Sequence, residues 1–458
     1  MEATLSGMMA SRITANRRLA IALLATAVTV ACVVAVNPSS LANFAWYFFV
    51  WNVFILFVNR DSLADFSLAF VVNSAWIGIY VLVQSTIYPD SYGTTTWHSA
   101  SWTDDSYFFS LAADSVPTDV LTRPFYWEYK HTFTSMIRAI SPLPIHHPLD
   151  VLFFQSGTAA LLAAFTGRLM FQLSQDQRLS RIAFTLCMIC PFLMMNGGVV
   201  FLRDTLAAAL FVYSLCSLND RRYVPAAIAV AIQLALRPGT GILLMPAYVV
   251  LYWREISAFV GRHPVASAFV AVSTVLGAVA ASSFVLDYMT THYNIASVGF
   301  LGREVIADLT ADQSFNALFL AIQEMPFVVK LFLNAAYIFM YPFLTFRTVF
   351  DADYFDLRTV TLSLIVPVYQ FWLNAWFAAG ALTAKVSFPK QRAILWALAL
   401  TLILVGIYSL QTRHKTIIYP LYYILVAVGF AHATPQARRL GYVFSAILLL
   451  VQVASTLR

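Results

Sequence analysis

Asp104 and Asp105 stand side by side at the head of the run Asp104-Asp105-Ser106-Tyr107-Phe108-Phe109. Adjacent carboxylates can leave one ionised as a general base toward a hydroxyl, can bind a divalent ion, or can simply favour the start of a helix. The pair belongs to residues 88–150, which hold seven of the 22 acidic residues (Asp90, Asp104, Asp105, Asp114, Asp119, Glu128 and Asp150) against three basic ones, Arg123, Lys130 and Arg138. A second dense stretch, Arg123-Pro124-Phe125-Tyr126-Trp127-Glu128-Tyr129-Lys130-His131, interleaves rings with charge. Rings stack on the apolar faces of a pyranose and carboxylates accept from its hydroxyls, so a glycan fits this region. An aromatic belt at a membrane interface fits it too. His146-His147, between Pro144 and Pro148, reads as a rigid turn, because neighbouring residues rarely chelate one ion.

Three arginines stand where arginine is expensive. Arg203 lies in Val199-Val200-Phe201-Leu202-Arg203-Asp204-Thr205-Leu206, Arg237 in Leu234-Ala235-Leu236-Arg237-Pro238-Gly239, and Arg413 in Gln411-Thr412-Arg413-His414-Lys415, ahead of Pro420. A charge near a bilayer centre costs at least about 2.5–3.5 kcal/mol. Guanidinium forks bind phosphate bidentately, so a cluster of them below a membrane surface suits a lipid diphosphate headgroup. Asp204 is a natural partner for Arg203, and Gly197-Gly198 permits close approach of a ligand or of backbone. The plainer reading is a set of snorkelling arginines and structural ion pairs. His414 is a second, weaker candidate base.

The elements that would position these groups follow from composition. Of 458 residues, 60% are hydrophobic and 11% charged, with a mean hydropathy of +0.74. So few charges cannot cover a soluble protein of this size, which excludes a soluble enzyme, a disordered chain and a fibrous one. An all-α, polytopic integral membrane protein remains, a single membrane domain over 1–458. The net charge of +6 is scattered singly and in pairs, which reads as orientation rather than as a nucleic-acid footprint. Cys32, Cys187, Cys190 and Cys216 all sit in apolar stretches and read as small core residues.

Charge-free windows outline the spans. Residues 19–59 read as two helices around Asn37-Pro38-Ser39-Ser40, and the windows 205–219, 223–236 and 238–253 are short and bounded by arginine. With Arg12, Arg17 and Arg18 before an uncleaved first helix, alternation puts the N-terminus, Arg178/Arg181, Arg221/Arg222 and Arg254/Arg262 in the cytoplasm, and 88–150 outside. A second outer region is expected over 287–358. A re-entrant segment near 315–345, broken at Met325-Pro326 and Tyr341-Pro342, would keep Lys385/Lys390/Arg392 and Arg438/Arg439 inside as well. About thirteen transmembrane helices result, with one long outer-face loop carrying surface helices.

This arrangement resembles bacterial polysaccharide polymerases of the Wzy/EpsG type, within the GT-C-like membrane glycosyltransferases. The likeness rests on Asp104-Asp105-Ser106-Tyr107, Phe201-Leu202-Arg203-Asp204-Thr205-Leu206, Arg237-Pro238, Tyr341-Pro342-Phe343 and Arg413 ahead of Pro420, spaced fragments over roughly residues 85–435. No long late loop rich in His and Arg is present, which departs from the O-antigen ligase pattern. The resemblance implies a multi-pass protein of the bacterial inner membrane that joins glycan units from a polyprenyl-diphosphate donor at the outer face, without nucleotide sugar; no cofactor is expected and no metal site is assigned. It implies Arg203, Arg237 and Arg413 on the diphosphate, with Asp204 and Lys415 beside them. Asp104, Asp105 or His414 would be the catalytic base, and Tyr107, Arg123, Trp127, Glu128, Lys130 and His131 would bind substrate. A chain-length regulator and a flippase are the expected protein partners, with membrane lipid and no nucleic acid. Two other functions fit the same residues: a transferase of one sugar from a polyprenyl monophosphate, and a transporter or flippase of lipid-linked glycan.

Overall fold

The break expected at Asn37-Pro38-Ser39-Ser40 ends one helix, α1 (Glu2–Val36), and starts the next, α2 (Ser40–Asn59). The computed structural model describes residues 2–87, 109, 112–113, 128–199, 203–264, 322, 325–340, 357–383, 388, 390–408 and 412–456. Among them every regular element is helical, with fifteen α-helices of ten residues or more. After α2 come α3 (Leu63–Ile87), α4 (Glu128–Ile140), α5 (Pro148–Ser174), α6 (Gln177–Met188) and the short α7 (Pro191–Met194), which runs on into a π turn, Met195–Val199. Then follow α8 (Asp204–Asn219), α9 (Tyr223–Leu236), α10 (Pro238–Leu251), α11 (Trp253–Arg262) and α12 (Phe327–Met340). The rest are α13 (Leu357–Val360), a second π turn (Thr361–Ile365), α14 (Val366–Leu382), α15 (Gln391–Tyr408), a 3-10 turn (Thr412–Ile417), α16 (Tyr419–His432) and α17 (Pro435–Thr456).

By length and composition, five segments can cross a membrane: Asn16–Val36, Ser40–Ile87, Pro148–Ser174, Thr361–Leu382 and Pro435–Ala454. Seven result if the bent pairs Gln177–Met188 with Pro191–Val199 (48°) and Leu243–Leu251 with Trp253–Arg262 (76°) each count as one. The chain is therefore a multi-pass helical membrane protein, but the expected thirteen spans are not reached among the described residues. The main reason is helix length. α8 has 16 residues, and α9 and α16 have 14 each. At about 1.5 Å per residue they reach roughly 21–24 Å, short of the ~30 Å hydrocarbon core.

Two helices form the centre. The apolar window of α5 is wholly buried, while those of α1 and α17 are 17% and 22% buried and face outward. α16 is buried from Tyr419 to Gly429. Its neighbours come very close: a side chain at Gly380, Gly429 or Gly441 would run into the carbonyls of Leu425, Trp376 and Ala375, respectively. Small residues thus let α14, α16 and α17 pack backbone to backbone, which is how helices associate where lipid removes the hydrophobic drive. The four cysteines are free and buried, as their apolar surroundings suggest.

One end of the bundle gathers basic residues. Arg18 pairs with Asp65 (2.7 Å), Arg168 with Asp61 (2.9 Å) and Asp220 (3.6 Å), His432 approaches Asp176 (3.9 Å), and Lys390 pairs with Glu255 (3.0 Å). These contacts place Arg178/Arg181, Arg221/Arg222, Arg254/Arg262, Lys390/Arg392 and Arg438/Arg439 at a shared basic end. The two late basic clusters thus lie beside the early ones.

The far end is fastened by Asp150. Its carboxylate accepts from Ser40 Oγ (2.6 Å), Asn43 Nδ2 (3.0 Å), and the backbone N–H groups of His146 (2.9 Å) and His147 (2.8 Å). His147 caps α5 in return, its ring Nδ1 accepting from Leu149 N (3.2 Å), with Pro148 at the first helical position. Asp150 and His146-His147 are therefore a helix cap tied to the α1–α2 turn. Asp150→Ala leaves buried donors unsatisfied and should cost about 3 kcal/mol, read as a lowered melting temperature of the purified protein in detergent.

Candidate functional site

Pro238 decides where Arg237 sits. The residue before a proline is pushed out of the α region, and Arg237 adopts φ −153°, ψ 82°, ending α9 and opening α10. One turn earlier, Gln233 Nε2 donates to Ala207 O (3.1 Å) and fixes the register between α9 and the antiparallel α8. Moving one turn up both helices brings Arg237 level with Arg203 and Asp204. Arg237 and Asp204 form an ion pair there, with Asp204 2% exposed, Arg203 8% and Arg237 9%. The suggested partner of Arg203 is thus bound to Arg237.

The N-termini of α8 and α10 meet at this point. Each presents backbone N–H groups and the positive pole of its helix, so the two arginines stand where the backbone already favours an anion. Asp204, in the first turn of α8, opposes part of that charge. The π turn packs against the same place, with Gly197 against the Thr205 side chain. The close approach that Gly197 allows is made by Thr205 itself, and Gly198 faces Ile77. Asp204 Oδ2, Thr205 Oγ1 and Asn196 Nδ2 are buried with no hydrogen-bond partner among the described residues. Orphaned buried polar atoms are uncommon, and a group of them calls for an explanation.

The turn Thr412–Ile417 packs against α8, the π turn and α12. It carries Arg413 and His414 to this locus along the backbone. Lys415 on the same turn points inward. Its ammonium donates to Phe339 O (2.7 Å) and Gln370 Oε1 (3.0 Å), and it lies 5.6 Å from the Tyr419 ring. Phe339 and Met340 end α12 inside the protein, where the last carbonyls of a helix lack partners of their own. Gln370 Nε2 also donates to Phe339 O (2.6 Å), and Gln452 Nε2 to Met340 O (2.9 Å). Lys415 thus caps a buried helix end, a role for which its position in the sequence gives no sign. The glutamines in apolar runs, Gln233, Gln370 and Gln452, were the legible signal for such ties.

α4 packs on α9, and its Phe133 and Ile137 are buried, Phe133 edge-on to Phe154 of α5. It carries the backbone of Glu128, Lys130 and His131 at its start. Asp104, Asp105, Tyr107, Arg123 and Trp127 lie outside the described residues. After Tyr107, Ala113 N donates to Phe109 O (2.8 Å), and Phe109 is buried. The structure therefore brings together Arg203, Asp204, Arg237 and the turn bearing Arg413, His414 and Lys415. Comparison with known proteins finds no matching family model, no similar curated protein and no solved structure of like fold, so this buried charge layer belongs to a chain shown to be a multi-pass helical membrane protein.

Proposed function

We propose that the chain is a membrane glycosyltransferase of the polysaccharide-polymerase type, joining glycan units carried on polyprenyl diphosphate. The observation that carries the reading is the meeting of two buried arginines with the N-termini of α8 and α10. Helix length places that meeting about 21–24 Å from the basic end. The positive-inside rule assigns the basic end, and with it the N-terminus, to the cytoplasm. The charge layer then lies in the outer half of the bilayer, within reach of a lipid diphosphate at the outer face of a bacterial inner membrane.

Arg203 and Arg237, with Arg413 on the adjoining turn, hold the diphosphate and neutralise it as it leaves. Asp105 or Asp104 takes the proton of the acceptor hydroxyl, with His414 as the other candidate base. The acceptor oxygen bonds to the anomeric carbon with inversion, and the bond to the diphosphate breaks, its electron pair leaving with the phosphate oxygen. Tyr107, Arg123, Trp127, Glu128, Lys130 and His131 hold the growing glycan. A flippase supplies the donor from the cytoplasmic leaflet, and a chain-length regulator is the expected protein partner.

Glycan length in a null strain complemented with Arg203→Ala, Arg237→Ala or Arg413→Ala tests the site. Loss of the long-chain ladder is expected from each variant. Normal polymer from all three, at normal protein levels, overturns the reading. A second reading, a transporter of lipid-linked glycan, is favoured by the broken helices and by a helix end buried at Met340. Purified protein in liposomes with lipid-linked glycan separates these functions. A ladder marks the polymerase, a single added sugar the monophosphate-dependent transferase, and movement between leaflets without new bonds the transporter.

A further inference from the structure

At the basic end the chain does something a spanning helix has no need to do. α11 leaves α10 at 76°, and none of its residues is buried. Its sequence, Trp253-Arg254-Glu255-Ile256-Ser257-Ala258-Phe259-Val260-Gly261-Arg262, segregates by side. Helical spacing puts Trp253, Ile256, Phe259 and Val260 on one face, and Arg254, Gly261 and Arg262 on the other. Trp253 is 61% exposed and Phe259 54%. Just before the bend, Val249 on α10 is 43% exposed on the lipid-facing side of the bundle.

The helix is also held in place. Glu255 pairs with Lys390 at 3.0 Å, and the Lys390 ammonium sits 3.7 Å above the Tyr252 ring. Tyr252 OH in turn donates to Leu215 O and Asn219 Oδ1, both at 3.0 Å. Burial alone would raise the Glu255 carboxyl, but the Lys390 hydrogen bond, a backbone hydrogen bond and the charges of Lys390 and Arg254 together outweigh it and hold it below the usual carboxylate range. With Glu255 engaged, Arg254, Arg262 and the nearby Arg392 remain exposed as a basic rim around an apolar face. A helix with aromatic and aliphatic residues on one side and arginines on the other lies in a membrane interface, and two signals, apolar burial and charge, bind it more firmly than either alone.

We propose that α11 lies flat in the bilayer surface at the basic end and, through Arg254 and Arg262, binds the headgroups of anionic phospholipids. Its apolar face sinks toward the acyl chains, continuing the lipid-facing side of α10. The arginines stay at headgroup level, and the Lys390–Glu255 pair fixes the rotation of the helix about its axis.

The test uses the full chain in nanodiscs. The native cysteines are all buried, so Phe259→Cys and Gly261→Cys can each carry a single environment-sensitive fluorophore, and a side chain at Gly261 meets open space. Label at 259 should be quenched by spin-labelled lipid and shielded from aqueous iodide, with the reverse at 261. Spin-labelled phosphatidylglycerol should quench position 259 at least about twofold more than spin-labelled phosphatidylcholine at equal mole fraction, because each arginine near the surface favours the anionic headgroup. Arg254→Gln with Arg262→Gln should abolish that preference while leaving the 259/261 contrast. Iodide access at 259 equal to that at 261, as expected of a face awaiting a protein partner, overturns the proposal. Equal quenching by the two lipids in the unmodified chain overturns it as well.

Discussion

Asp204→Ala is expected to destabilise the protein by about 3–5 kcal/mol, because it strands the Arg237 guanidinium without its carboxylate in a nearly dry setting. The effect should be of that order because both partners are buried. Arg237→Ala should cost a similar amount for the mirror reason. The informative variant is the pair replaced together. Asp204→Leu with Arg237→Met keeps the volume and removes both charges, and apolar replacement of a buried pair is often neutral or stabilising, so the double variant should melt within about 2 kcal/mol of the unmodified protein. Under the proposed function, polymer formation should nevertheless fall by about a hundredfold or more, since a donor proposed to stabilise the leaving diphosphate is gone. Melting in detergent and a polymerisation assay on the same preparations separate the two roles. A double variant that is stable and still makes normal polymer would reduce the pair to a structural tie and remove Arg237 from the donor site.

Why the sequence could point to this pair and yet miss its form is a matter of what each signal encodes. Arg237 was legible because a proline after it dictates a helix break, and a break in an apolar run carrying arginine is rare. The hairpin at Asn37-Pro38-Ser39-Ser40 was legible for the same local reason. The shared basic end followed from charge placement, and the ion pairs Arg168–Asp61 and Lys390–Glu255 realise it. Partner choice was not legible. Arg203 is next to Asp204 in sequence, but nothing in that adjacency shows that the carboxylate also meets the guanidinium of Arg237 on the neighbouring helix.

Direction and depth were equally hidden. Hydropathy counts apolar residues without saying where a helix stops or bends, and two of the short windows hold helices of 16 and 14 residues, while the third holds one that turns by 76° into α11. Asp150 counted as one loop acid among seven, whereas it is a cap holding two helices and a turn. The segregation of α11 was present in the letters from Trp253 to Arg262, but a search for long apolar runs passes over a short helix whose two faces differ.

The charge layer has a second anchor, and reversing its sign should have the larger effect on folding. Lys415→Glu puts a carboxylate against the Phe339 carbonyl, at the negative pole of α12, with Gln370 Oε1 alongside. Every described contact of the ammonium then becomes a repulsion or an unsatisfied acceptor, and the new charge cannot reach water from a position 2% exposed. A loss above about 4 kcal/mol is expected, seen as collapse of the monodisperse peak on size exclusion. Lys415→Gln differs, since its amide can still donate to the Phe339 carbonyl. Because Lys415 holds the turn that carries Arg413 and His414, a side chain that keeps this tie should keep the turn in place. Under the proposed function, glycan transfer by Lys415→Gln should therefore stay within about tenfold of the unmodified rate, while removal of a group proposed to touch the diphosphate should cost about a hundredfold or more. A drop of that size in a Lys415→Gln protein of normal melting temperature would move the lysine from the scaffold to the substrate, and wild-type melting of Lys415→Glu would show that the ammonium does not cap α12.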